Sequence, residues 1–175
     1  MTQTRADFIG YEYKDVTVRR DMEAIYADSF PSFGWQIEGT GFTTSPRNVV
    51  LKFKRNRRIT NKAELTRLQR EFEGHIHELE RLEDFKFIVP SAVAYAIGIF
   101  GTAFIAGSVF AMTATLPLLP LSIILAVPGI IGWIVPYFAY LKLKKKKTDI
   151  ATPVIDRQYD AIYEVCEKAS ALANA

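Results

Sequence analysis

Between Phe87 and Leu141 the chain contains no Asp, Glu, Lys, Arg or His, although charge is dense on both sides of that stretch. A bilayer core about 30 Å thick is crossed by roughly 20 apolar residues in helical form, so the run is too long for one crossing and suits two. The natural break is TATLPLLP, Thr113 to Pro120, where two prolines separate the apolar stretches. A helical hairpin is therefore expected: transmembrane helix 1 over residues 87–112, an external turn over 113–117 and transmembrane helix 2 over 118–141.

With 175 residues, the chain is too small for a large transporter built from repeated bundles of spans, which leaves a subunit of an assembly or an anchor. Its net charge of +3 comes mainly from basic residues flanking the spans, the first 86 residues being close to charge-balanced. A general nucleic-acid binder needs a broad basic face and is not indicated. The start, MTQTRADFIGYEYKD, lacks the apolar core of a signal peptide, so the first span is expected to serve as an uncleaved insertion signal. Cys166 is the only cysteine, which excludes intramolecular disulfides and thiolate zinc sites. KFKRNRR precedes the first span and KLKKKK, ending at Lys147, follows the second, while the loop between them is uncharged. The positive-inside bias then predicts that both termini are cytoplasmic.

Residues 1–60 are expected to form a cytoplasmic α+β head in the order β-α-β-β. Tyr11 to Arg19 is rich in strand formers, but its apolar parity switches between Tyr13 and Val16, which predicts a bulge near Lys14 and Asp15. Asp21 is placed to cap a short helix carrying Met22, Ile25 and Tyr26, and FPSFG ends it. Phe33, Trp35 and Ile37 then alternate onto one face, as do Val49, Leu51 and Phe53, with Gly39 and Gly41 supplying the turn. So few elements leave the sheet uncovered, and the helix predicted over 61–86 is the evident cover. It opens with Asn61 and Glu64 at capping-box spacing and carries Leu65, Leu68, Phe72, Leu79 and Leu82 on a heptad seam with His75 in the open slot. Such a seam suits packing within one subunit or a coiled coil between subunits. His75 reads as a packed, hydrogen-bonded histidine, and Glu71, His75 and Glu78, although on one face, do not amount to a metal site.

Residues 142–151 form a basic collar, Lys142, Lys144, Lys145, Lys146 and Lys147, read first as a stop-transfer signal and second as an anionic-lipid site to which Arg55, Arg57 and Arg58 add. Thr152 and Pro153 are expected to start a cytoplasmic helix over 152–175, with Ile155, Tyr159, Ile162, Cys166, Ala169 and Ala173 on a second seam. An antiparallel pairing of the two seamed helices is the simplest consequence.

In the first span Ala94, Gly98, Thr102 and Ala106, with Ala103, Gly107 and Ala111 beside them, form a small-residue packing face suited to tight hairpin packing or to oligomerisation. Ser91, Tyr95 and Thr102 share one side and offer a narrow polar or pore face. Pro128 and Gly129 predict a kink in the second span. No phosphate loop, GxGxxG, GxSxG or HExxH is present, no catalytic or cofactor-binding residue is assigned, and no enzyme activity is expected. The segments YEYKDVTVRRDMEAIY, SFGWQIEG, VVLKFKRNRR, AELTRLQREFE, GTAFIAGSVFA and PGIIGWIVPYF together resemble a group of small bacterial two-span membrane proteins with no activity assigned to the group. The resemblance covers most of the chain and implies the hairpin topology and a bacterial plasma membrane. The functional expectation is a homo-oligomeric scaffold or accessory subunit that sits among anionic headgroups and uses its head to bind a protein partner. A small channel made from a ring of hairpins is the alternative.

Overall fold

A computed structural model describes residues 9–113 and 119–174. Three strands, one short helix and two long helices follow one another: β1 (Tyr11–Arg19), α1 (Glu23–Ser29), β2 (Trp35–Gly41), β3 (Asn48–Asn56), α2 (Lys62–Thr113) and α3 (Leu119–Ala173), with 3-10 turns on both sides of α1. They form two compact units, one from Met1–His77 with Gln158–Ala175, the other Glu78–Arg157. Both long helices thus contribute to both units.

In the first unit the sheet order is β1-β3-β2, with both pairings antiparallel. β1 runs against β3 in unbroken register from Tyr11 opposite Asn56 to Arg19 opposite Asn48, so the expected bulge near Lys14 does not occur. The parity switch has another cause. Glu12 and Lys14 share the inward face with Val16 and Val18 and are held there by charged partners: Arg55 and Lys62 on Glu12, Glu73 on Lys14. Tyr11 and Tyr13 take the outer face and are exposed. The irregularity lies in β2, between Ile37 and Gly39. Ile37, expected in the core, is 47% exposed on that edge strand.

Phe30, Phe33, Phe53 and Phe72 are almost fully buried. Phe30 stacks on Phe53 at 4.4 Å between centroids, Phe33 lies 5.5 Å from Phe72, and Tyr26 meets Phe72 edge-on at 5.5 Å. FPSF therefore builds the centre of the core as well as ending α1, and Gly34 closes its turn at φ 80°, a backbone region that favours glycine. Asp21 caps no helix; it pairs with Arg19 at 2.7 Å. Asn61 adopts φ 56°, the left-handed region and not the extended one an N-cap needs, so the capping box does not form. Its amide donates to the Leu172 carbonyl at 3.3 Å, and Glu64 turns to Arg67.

α2 covers the sheet with Leu65, Leu68, Phe72 and Ile76, while Leu79, also buried, lies in the second unit. Ile76 takes the slot expected of His75, whose Nδ1 lies 2.8 Å from Gln158 Oε1 on α3. On α3 the buried residues of this unit are Ile162, Val165 and Ala169, so Val165 stands where Cys166 was expected. Cys166 is half-buried; burial pushes its thiol pKa up, and a hydrogen bond with Ser29 opposes that only in part. Asn61 beside Leu172 and His75 beside Gln158 make the α2–α3 pairing antiparallel.

In the second unit the chain is a helical hairpin, and both helices are long and apolar enough to cross a membrane. Neither helix breaks where segment boundaries were expected, at 86/87, 141/142 and 151/152. Pro153 lies inside α3, and Thr152 Oγ1 donates back to the Thr148 carbonyl at 2.9 Å. Pro153 leaves the Asp149 carbonyl without an amide, but that position is exposed, so the loss is borne by solvent. The expected turn over 113–117 falls, Thr113 apart, outside the described residues.

Candidate functional site

The hairpin packs through residues almost without side chains. A Cβ placed on Gly132 would lie 2.6 Å from the Gly101 Cα, one on Gly101 would lie 2.8 Å from the Gly132 carbonyl carbon, and one on Gly129 would lie 2.6 Å from Ile105. Backbone therefore meets backbone at this crossing. Further along, Ser108 Oγ donates to the Ser122 carbonyl at 2.8 Å and lies 3.0 Å from the Ser122 hydroxyl, both serines being buried. The inner faces thus run through Gly101, Ser108 and Ala111 on α2 and Ser122, Gly129 and Gly132 on α3.

The small residues singled out in the sequence are distributed differently. Ala111 is buried and Gly107 lies under Leu125; Thr102, Ala103 and Ala106 are exposed on the outer face. Ala94 and Gly98 lie half-buried in a groove beside the crossing, and a Cβ on Gly98 would meet nothing within 4 Å. Of the inner-face glycines only Gly129 was singled out in the sequence, and with Pro128 it was read as a kink. α3 continues as helix through Pro128 and Pro136.

That groove, about 490 Å³, has Ala94 and Gly98 on its floor, Tyr95 and Trp133 as walls and Thr102 at one end. A second hollow of about 350 Å³ shares Ala94, Tyr95 and Pro136 with it and carries it on to Ser91 and Tyr140. Ser91, Tyr95 and Thr102 are therefore brought together along one open groove on the hairpin's side. The Thr102 hydroxyl is engaged with the Gly98 carbonyl at 2.9 Å.

The collar divides by direction. Lys144 Nζ lies 4.7 Å from the Phe87 ring centroid and 5.9 Å from that of Tyr140, and Lys147 lies 4.4 Å over Phe85, cation–π contacts that hold both ammonium groups against aromatic faces. Lys142, Lys145 and Lys146 are exposed. Lys86, by contrast, is paired with Glu83 at 2.9 Å.

Sequence reasoning missed a polar network in the first unit. Arg55, expected among the lipid-facing cations, is 4% exposed: its guanidinium stacks on Trp35 at 4.3 Å, its Nε donates to Glu12 at 2.6 Å and a terminal nitrogen donates to the Phe33 carbonyl. Trp35 Nε1 donates to Gln69 Oε1 at 2.9 Å, Gln69 donates to Glu73, and Glu73 accepts from Lys14. Burial works to raise the Glu12 carboxyl pKa, but hydrogen bonds and charge from Lys62 and Arg55 outweigh it and hold it below the usual carboxylate value. The network ties β1, β2 and β3 to α2. Among the described residues no three His, Cys, Asp or Glu side chains are placed to hold a metal ion.

Neither a family model, nor a curated protein, nor a solved structure matches the chain.

Proposed function

We propose that this protein is a two-span membrane scaffold or accessory subunit of a bacterial plasma membrane, with both termini cytoplasmic, acting as a homo-oligomer whose head binds a protein partner. One observation carries the reading: only 11% of the most apolar window of each long helix is buried, while Ile99, Phe100, Phe110, Ile123 and Ile124 stand exposed. Exposed apolar surface on that scale needs an apolar solvent. The basic segments on both flanks support the orientation, and the head supports the binding role, since Tyr11 and Tyr13 lie uncovered on the outer sheet face and Phe42 is fully exposed beyond β2.

The test is fractionation followed by labelling. The protein should stay in the membrane pellet through an alkaline carbonate wash. In a Cys166→Ser background, Thr115→Cys should react with an impermeant thiol reagent from outside intact cells and Thr44→Cys only after lysis. Extraction by carbonate sinks the membrane reading, and the reverse labelling pattern sinks the orientation. Native mass spectrometry from nanodiscs gives the copy number, and a strict monomer removes the homo-oligomer. A second reading, a ring of hairpins forming a small channel, is favoured by Ser91, Tyr95 and Thr102 lying along one groove. Proteoliposomes without flux above empty vesicles end it.

A further inference from the structure

We infer that the groove along the hairpin is a binding site for one anionic phospholipid, with an acyl chain lying over Ala94 and Gly98 and the phosphate held at Lys144. The inference rests on the membrane-spanning part of the reading above and on nothing said of oligomers or partners.

Shape comes first. From Thr102 to Phe87 the α2 side of the groove covers fifteen helical steps, about 22 Å at 1.5 Å per residue. One leaflet of a bilayer core is about 15 Å, and the headgroup layer adds to it. The groove therefore has the length of a single lipid, and not that of a helix crossing both leaflets. Its floor is open because Gly98 has no side chain and nothing stands within 4 Å of the place a Cβ would take. Its walls, Tyr95 and Trp133, are flat apolar faces suited to a methylene chain.

Charge fixes which lipid. Tyr140 lines the groove's last stretch, and Lys144, one turn further along α3, leans over both Tyr140 and Phe87. Outside the collar five of the six lysines are paired, Lys14 with Glu73, Lys54 with Glu38, Lys62 with Glu12, Lys86 with Glu83 and Lys168 with Glu164, Lys52 forming no ion pair among the described residues. Among the described residues no carboxylate forms an ion pair with Lys142, Lys144, Lys145 or Lys146. A cation without a carboxylate partner, held on aromatic faces at one end of an apolar groove within a run of lysines, matches a phosphate group above an acyl chain. A second copy is the less suitable occupant. Seated in this groove in the same membrane orientation, it would bring its own collar directly against Lys144, whereas a homo-oligomer joined through another face keeps the collars apart.

The experiment uses the full chain in nanodiscs of phosphatidylcholine alone and of phosphatidylcholine with phosphatidylglycerol, released into native mass spectrometry. The wild type should retain phosphatidylglycerol in preference to phosphatidylcholine. Lys144→Gln should lower that retention about fivefold, the equivalent of about 1 kcal/mol for one lysine near the surface. Gly98→Leu should abolish it by filling the groove, without touching the hairpin crossing. Gly98→Ala and Lys142→Gln guard against misfolding and against general loss of charge, and each should act more weakly than its counterpart. Equal retention of both lipids, or retention indifferent to Gly98→Leu, overturns the site. So does a dimer that Gly98→Leu splits while lipid adducts stay unchanged, because the groove then holds a second copy. A protein that carbonate extracts has failed the membrane reading itself, and that failure is seen before any lipid is weighed.

Discussion

The same two helices pack against each other in both units, and they do it with opposite materials. In the first unit α2 offers Leu65, Leu68, Phe72 and Ile76, large side chains driven inward, with charged residues outside. In the second the inward residues are Gly101, Ser108, Gly129 and Gly132, and the large apolar side chains point outward. A water-facing core is assembled by removing apolar area from water, roughly 1.5–3 kcal/mol for each large side chain. Where the surroundings are themselves apolar that gain vanishes, and close van der Waals approach with a few internal hydrogen bonds has to hold the helices together. The inversion of size along one pair of helices is what the proposed membrane location of the second unit requires.

Four measurements test this contrast. Phe72→Ala, which empties the aromatic cluster, should cost about 3–5 kcal/mol in the first unit; unfolding followed through Trp35 fluorescence reads it, and a loss under 1 kcal/mol would remove the claim that large side chains hold this unit. Gly132→Leu should cost about 1–3 kcal/mol or more through overpacking, read as lost disulfide crosslinking between cysteines placed at Ile97 and Pro136 in a Cys166→Ser background; crosslinking as efficient as in the parent would mean the helices do not meet at glycine. Ser108→Ala should cost less, about 0.6–1.7 kcal/mol, the range found for hydrogen bonds between membrane helices, and the same crosslink compared in detergent titrations detects it. The smallest effect is on pH. Because the folded Glu12 carboxyl has a lowered pKa, the stability it supplies is complete above the unfolded value near 4.3 and is lost as pH falls through the folded one. Denaturation of the wild type should therefore steepen below about pH 4 relative to Glu12→Gln, and parallel curves would show that the Arg55 and Lys62 contacts do not matter.

The hairpin could be read from the sequence because absence of charge over a long stretch is a global signal that no local choice can hide. The strand and helix order of the head was legible for the same reason as most amphipathic patterns: Val49, Leu51 and Phe53 alternate, and Leu65, Leu68 and Phe72 step by three and four. Several of the failures came where a polar residue faces inward. Glu12 and Lys14 were read as a break in β1, and Arg55 as a surface cation, because a sequence shows a side chain's charge and not the partner that satisfies it. The glycine crossing was hidden for a related reason. Gly98 and Gly101 lie three residues apart on one helix, and only the position of α3 decides which of them meets backbone and which faces open space. The groove and its lysine follow from that same choice.

The participation of Ile162, Val165 and Ala169 in the head's core, together with the Asn61 contact to Leu172, imposes an order on synthesis. The strands leave the ribosome well before the α3 residues buried with them, which follow only after the whole of Glu78–Arg157 has been made. Until then Asn61 and His75 lack the Leu172 and Gln158 partners they have in the folded unit. A chain stopped after Leu141 would keep every strand and still lack the α3 residues Ile162, Val165 and Ala169 that are buried with them.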